Sequence, residues 1–248
     1  MLGHLYHPKG LALETARVVL EIDDPCAVNV ALGCTNACLY CYVPKFLRKS
    51  RESCQIIQFP KMPPVKLVQE QLRNLHPSKF PQGVFLSFLT DPLLPVNKNS
   101  TEDLIGLLVG EYKIPVAVLS KMGTSRFEGV RKGVTIISFD DKFWKEYEPN
   151  ALSPSARRGS IENEEYPWVS VEPYPPPAIW EQNIFNFLEE LKFAKLIVFG
   201  KWNYDARATT EHARLEYAAN INVITDFCKS NHIRLHIKSD TLRFVKGE

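Results

Sequence analysis

The chain has 248 residues, with 30 lysines and arginines against 28 aspartates and glutamates, for a formal net charge of +2. So even a balance gives no mandate for nucleic-acid binding and leaves only a local basic patch to consider. Hydrophobic content of 45% and charged content of 23% are ordinary globular values, and a chain of this length buries its core without covalent staples.

Residues 1–25 read as an N-terminal extension, with Glu14 and Arg17 breaking any apolar leader. "AVNVALG" (27–33) is a predicted strand that runs into a cysteine-bearing loop, and "VKLVQEQLRNL" (65–75) has helical spacing. A strand follows at 83–89, then a helix over 101–112 capped by Ser100 or Thr101, then strands at 115–120 and 133–139. Residues 153–163 open on a capping serine and a first-turn proline, which predicts a helix. Beyond it come a strand (167–172), a rigid proline-rich loop (174–178), a helix (178–191), a strand (195–200), a long helix (210–230) and a candidate last strand (233–238).

The six strands between 27 and 200 are nearly continuous apolar runs separated by helical stretches. That pattern predicts an α/β fold in which helices cover both faces of parallel strands. A single domain over 1–248 is expected, with its core at about 26–230 and a C-terminal strand or tail at 231–248. Doubly wound and barrel arrangements both fit. No apolar run reaches the roughly eighteen residues of a membrane span, so a soluble, cytoplasmic protein with reduced thiols is expected.

Three of the six cysteines, Cys34, Cys38 and Cys41, fall within "GCTNACLYCY" (33–42). On a helix they would form one buried apolar stripe, but Gly33, Thr35 and Asn36 favour a loop. A zinc site would conscript Cys54 or His76 as a fourth ligand. An iron–sulfur cluster on three thiolates would leave one iron open to a further ligand. Cys26 and Cys228 read as packed core thiols.

The Cys-x-x-x-Cys-x-aromatic-Cys spacing, with Tyr40 as the aromatic, resembles the signature of radical S-adenosylmethionine (SAM) enzymes. "GCTNACLYCYVP", "SFLTDPLLPVNK" (87–98), "PVAVLSK" (115–121) and 137–162 are most similar to the group of spore photoproduct lyases and DNA-repair-photolyase-like proteins. The resemblance implies a partial (β/α)6 TIM-type barrel whose cysteines hold a [4Fe–4S] cluster. It further implies a lyase or modifying enzyme that cleaves SAM to a 5′-deoxyadenosyl radical, with flavodoxin or ferredoxin as electron donor. The implied substrate is a nucleic-acid base or nucleotide, with a peptide or small metabolite as the alternative. Spore photoproduct lyase also has a downstream hydrogen-donating cysteine, whereas this chain has none between Cys54 and Cys228. A zinc-stabilised, non-catalytic binding protein is the rival of another class.

Loops past the strand ends carry sites in such architectures. Thr90 and Asp91 are acceptors that the resemblance places near the SAM ammonium, and Asp-Pro is equally a turn. Ser120 and Lys121 follow the next strand, where the lysine could meet the SAM carboxylate or a substrate phosphate, or sit exposed in a loop. Ser138 corresponds to a ribose contact or a satisfied core serine. Arg157, with Arg158 adjacent, corresponds to an arginine against the SAM carboxylate. Glu172 ends an apolar strand, and Lys201, Trp202 and Asn203 follow the next. The basic run "FLRKSRE" (46–52) is a solvated loop, or a contact for nucleic-acid phosphate or an acidic electron donor.

Overall fold

The computed structural model describes residues 2–124 and 128–248. Seven strands form one sheet: β1 (Cys26–Val28), β2 (Val84–Leu86), β3 (Val116–Ser120), β4 (Val130–Thr135), β5 (Trp168–Tyr174), β6 (Leu196–Lys201) and β7 (Arg234–Ile237). They lie side by side in chain order, and every neighbouring pair is parallel. A doubly wound sheet reverses its strand order at a switch point, and this one does not. Crossovers of a single hand then carry each new strand one step in the same direction. The result is compatible with a partial barrel, left open between β1 and β7. The candidate strand at 233–238 is the seventh member.

The helices are α1 (Gly10–Leu20), α2 (Val43–Leu47), α3 (Pro64–Arg73), α4 (Pro95–Ile105), α5 (Asp141–Tyr147), α6 (Pro154–Ile161), α7 (Ile184–Glu189), α8 (Glu211–Ser230) and α9 (Ser239–Lys246). Strand residues alternate between two faces. Val84, Leu86, Val116 and Val118 pack outward on Val68 and Leu72 of α3 and Leu104 and Ile105 of α4. Val169, Val171, Ile197 and Phe199 pack outward on α7 and α8. The inner face presents Ala27, Phe85, Ala117, Trp168, Leu196 and Val198. Gly133 makes room for the Trp168 ring, since a Cβ there would lie 2.0 Å from it.

The segment expected as an N-terminal extension is part of the wall. Ala16, Val19 and Leu20 of α1 are buried against the inner face of the sheet. Tyr6 pairs with Ala27 of β1, while Lys238, just past β7, donates to Leu11 O at 2.7 Å and Thr15 Oγ1 at 2.6 Å. The N-terminal segment therefore bridges the seam between the two edge strands.

Several boundaries move. The helix expected at 101–112 begins at Pro95 and continues beyond Ile105 as a π-helical turn, Gly106–Glu111. Thr101 is thus no cap; it lies inside the helix with its hydroxyl on Pro92 O at 2.6 Å. The strand expected at 133–139 ends at Thr135, leaving Ser138 in the following loop. The helix expected at 178–191 shortens to α7, capped by the Asn183 side chain.

Candidate metal and cofactor site

A cavity of about 490 Å³ opens over the C-terminal ends of the strands, the end where parallel α/β folds place their ligands. Cys34, Cys38 and Cys41 all line it, as does Cys54. Residues 34–41 form a chain of turns and not a helix, so the apolar cysteine stripe is not built. Gly33 has φ +95°, and a Cβ on it would lie 2.6 Å from Ile56 O; only glycine fits this entry to the loop.

Burial pushes the Cys34 thiol up to about 11, helped by Asp91, and the Cys38 thiol up to about 12, with Lys121 opposing and Glu148 adding. Burial likewise raises Cys41. The loop thus keeps neutral thiols that give up protons when a cationic centre binds them. Among the described residues no three His, Cys, Asp or Glu side chains gather about the position of one metal ion. His76 lies on the surface, bonded to Ser78 at 2.8 Å, and takes no part in the cavity. A closed zinc site brings four ligands to one ion. A polynuclear cluster instead spreads its thiolates over separate irons.

Two buried carboxylates grip the loop. Asp91 accepts from Asn36 Nδ2 (2.9 Å), Ser120 Oγ (2.7 Å), Lys121 N (2.7 Å) and Leu93 N (3.0 Å). Thr90 donates to Gly33 O at 2.5 Å. Both line the cavity, but their polar atoms bind the loop, the end of β3 and their own turn, which leaves Asp91 no free lone pair aimed at a ligand. On the other side Glu148 accepts from the Tyr40 phenol and from Arg157.

The other expected residues divide clearly. Lys121 lines the cavity, its ammonium 5.4 Å from the centre of the Tyr40 ring. Burial opposes its charge, yet Cys38 and Glu148 outweigh that and raise its pKa. Glu172 lines the cavity with Lys238 Nζ at 3.8 Å, and burial raises its pKa. Gly200 is its cradle, since a Cβ there would lie 2.7 Å from Glu172 Cγ. Asn203 reaches the cavity, while Lys201 and Trp202 do not.

Arg157 is a correction. It is fully buried and outside the cavity, each of its three nitrogens donating within the protein, to Leu152 O, Thr135 O and Glu148, so it does not reach a ligand carboxylate in the cavity. Arg158 pairs at the surface with Glu162 and Glu190. Ser138 is also outside the cavity, buried and accepting from Asp140 N at 3.1 Å; it is a satisfied core serine.

Sequence reading missed Asn36, Thr135 and Ser170. Asn36 is 2% exposed, and its Oδ1 has no partner. Thr135 and Ser170 sit opposite each other on β4 and β5 and both line the cavity. Among the described residues, neither hydroxyl, nor Lys121 Nζ, nor the Glu172 carboxylate takes part in a hydrogen bond. Of the groups named here only Asn36 Oδ1 is fully buried without a partner; the other four face the cavity, where a polar ligand could meet them. Inward alternation along 167–172 was the available signal for Ser170. Thr135 was hidden by the misplaced strand end. No protein-family model matches the chain, and no curated protein matches it.

Proposed function

We propose that the chain is a radical SAM enzyme built on a partial barrel of the (β/α)6 type with one added strand. The observation that carries this reading is the shared cavity: Cys34, Cys38 and Cys41 line it together with Lys121, Thr135, Ser170 and Glu172. Three thiols on one loop suit a [4Fe–4S] cluster with one open iron. The unpartnered groups suit a zwitterionic nucleoside such as SAM.

When bound, such a cluster supplies the electron for reductive cleavage of the sulfonium, from which a 5′-deoxyadenosyl radical and hydrogen abstraction from a substrate follow. The chain's own residues have simpler tasks. The ammonium of Lys121 meets a ligand carboxylate, and the orphan Asn36 Oδ1 accepts from a ligand ammonium. Thr135 and Ser170 offer hydroxyls to the uncharged middle of the ligand. Phe88, Leu119 and Tyr40 line the same space and help to exclude water.

The substrate assigned is a nucleic-acid base or nucleotide. Phe46 and Tyr204, 66% and 57% exposed, both line the cavity mouth, and Lys45 donates to Tyr204 O at 3.1 Å. Exposed aromatics beside Lys45 and the basic run 46–52 suit base stacking and phosphate contact. The same basic rim suits an acidic electron donor of the flavodoxin or ferredoxin kind. No described helix is long and apolar enough to cross a membrane.

Anaerobic reconstitution tests the reading. The expected product is a brown protein with about four irons that releases 5′-deoxyadenosine from SAM under dithionite, with release stimulated by oligonucleotides or nucleosides. A variant with all three loop cysteines changed to alanine should hold no iron. A colourless wild-type protein that takes up zinc and leaves SAM intact overturns the proposal.

A further inference from the structure

The cysteine loop has a second anchorage that the cavity does not explain. The strip Tyr147–Asn150, at the end of α5, touches it three times. Leu39 N donates to Tyr147 O at 2.9 Å, the Tyr40 phenol donates to Glu148 Oε1, and Asn150 Nδ2 donates to Thr35 O at 2.9 Å. Glu148 is 1% exposed and Arg157 0%. The guanidinium is tied in turn to Thr135 O of β4 and to Leu152 O, each at 2.7 Å.

Desolvating two charges costs more than packing two apolar side chains in the same space. Among the described residues, the Glu148 carboxylate has one further hydrogen-bond partner, the phenol of Tyr40, the residue between Cys38 and Cys41. Trp202 meets the Tyr40 ring edge-on at 5.2 Å, which fixes the ring plane. A continuous chain of contacts therefore runs from β4 through Arg157, Glu148 and Tyr40 to the turn that bears two of the three sulfurs. Asp91 reaches only Asn36, in the first half of the loop.

We propose that Glu148 is a positioning residue, whose carboxylate, held by Arg157, fixes through Tyr40 the orientation in which Cys38 and Cys41 are presented to a shared ligand. This assigns Tyr40 to the loop's support and not to the cofactor. The inference rests on the reading that the three sulfurs share one cluster. Outer-shell partners of metal ligands typically change affinity by about 10- to 100-fold when removed.

The test uses Tyr40→Phe, which deletes one oxygen and leaves the Glu148–Arg157 pair in place. Before iron is added, amide exchange across residues 38–42 should rise in the variant and stay unchanged in the surface control Arg158→Ala. After reconstitution, the variant should lose iron to a chelator about 10- to 100-fold faster, and its reduced-cluster EPR signal should broaden. Glu148→Gln can accept from Arg157 and donate to the phenol, so it should keep the loop's exchange near the wild-type level even where overall stability falls. Wild-type exchange, iron retention and EPR line shape in Tyr40→Phe together overturn the inference. If wild-type protein takes up no iron, the cluster reading fails, and the exchange measurement alone decides the clamp.

Discussion

The two sides of the cysteine loop are held by carboxylates of different construction. On the strand side, Asp91 accepts four hydrogen bonds of 2.7–3.0 Å from the loop, from the end of β3 and from its own turn. None of these donors carries a formal charge. On the helix side, Glu148 has one phenol and one guanidinium. The first hold is spread over three stretches of chain, and no single donor is indispensable. The second is concentrated in one ion pair, sealed from water on both partners. Distributed dipoles tolerate the loss of a member; a single buried counter-charge does not.

The largest expected effect comes from breaking the concentrated hold. Arg157→Met removes the guanidinium and leaves Glu148 buried without a hydrogen-bonded counter-charge. Breaking such a pair from one side costs about 3–5 kcal/mol, which a shift in the denaturant midpoint at unchanged slope would report. On the distributed side, Ser120→Ala removes one of the four donors to Asp91. The remaining three keep the carboxylate satisfied, and the expected loss is about 1 kcal/mol. Equal losses for the two variants would break the contrast, because Asp91 would then depend on Ser120 as strongly as Glu148 depends on Arg157.

This contrast also explains what could be read from the sequence. Cysteine spacing, apolar runs and strand alternation are local, and they placed the loop, the parallel sheet and the end of β3 at Ser120 and Lys121, while β2, expected to reach residue 89, ends at Leu86. The clamps are not local. Tyr40 and Glu148 are 108 positions apart, and Asn36 and Asp91 are 55 apart. No periodicity links such pairs. Arg157 was assigned to a ligand by analogy, and the guanidinium that suits a ligand carboxylate equally suits Glu148. Helix α1 escaped for another reason. It opens after Lys9 without a side-chain cap, and its buried face is matched to one face of the sheet, a surface that exists only once the strands have assembled.

A third carboxylate extends the comparison to the seam, where the smallest effect is expected. Glu14 on α1 accepts from Ser239 N at 2.8 Å and Ser239 Oγ at 2.6 Å, and lies 2.7 Å from His236 Nε2. Burial alone would raise its pKa, but these hydrogen bonds, with the charge of Lys238, outweigh it and hold the group below the usual glutamate value. A carboxyl lowered on folding stabilises the fold fully above its unfolded value of about 4.3. That contribution is lost as the pH drops through the lower folded value. Wild type should therefore be more stable than Glu14→Gln at neutral pH, with the gap closing below about pH 4.3. Thermal midpoints of the two proteins, followed from pH 7 to pH 3, read this directly. Because Glu14 is 19% exposed and its main donors are neutral, the gap should stay smaller than that for Arg157→Met at every pH. A gap absent at every pH would mean that the seam is held by the apolar face of α1 alone, and one that widens on acidification would mean that folding raises the Glu14 pKa.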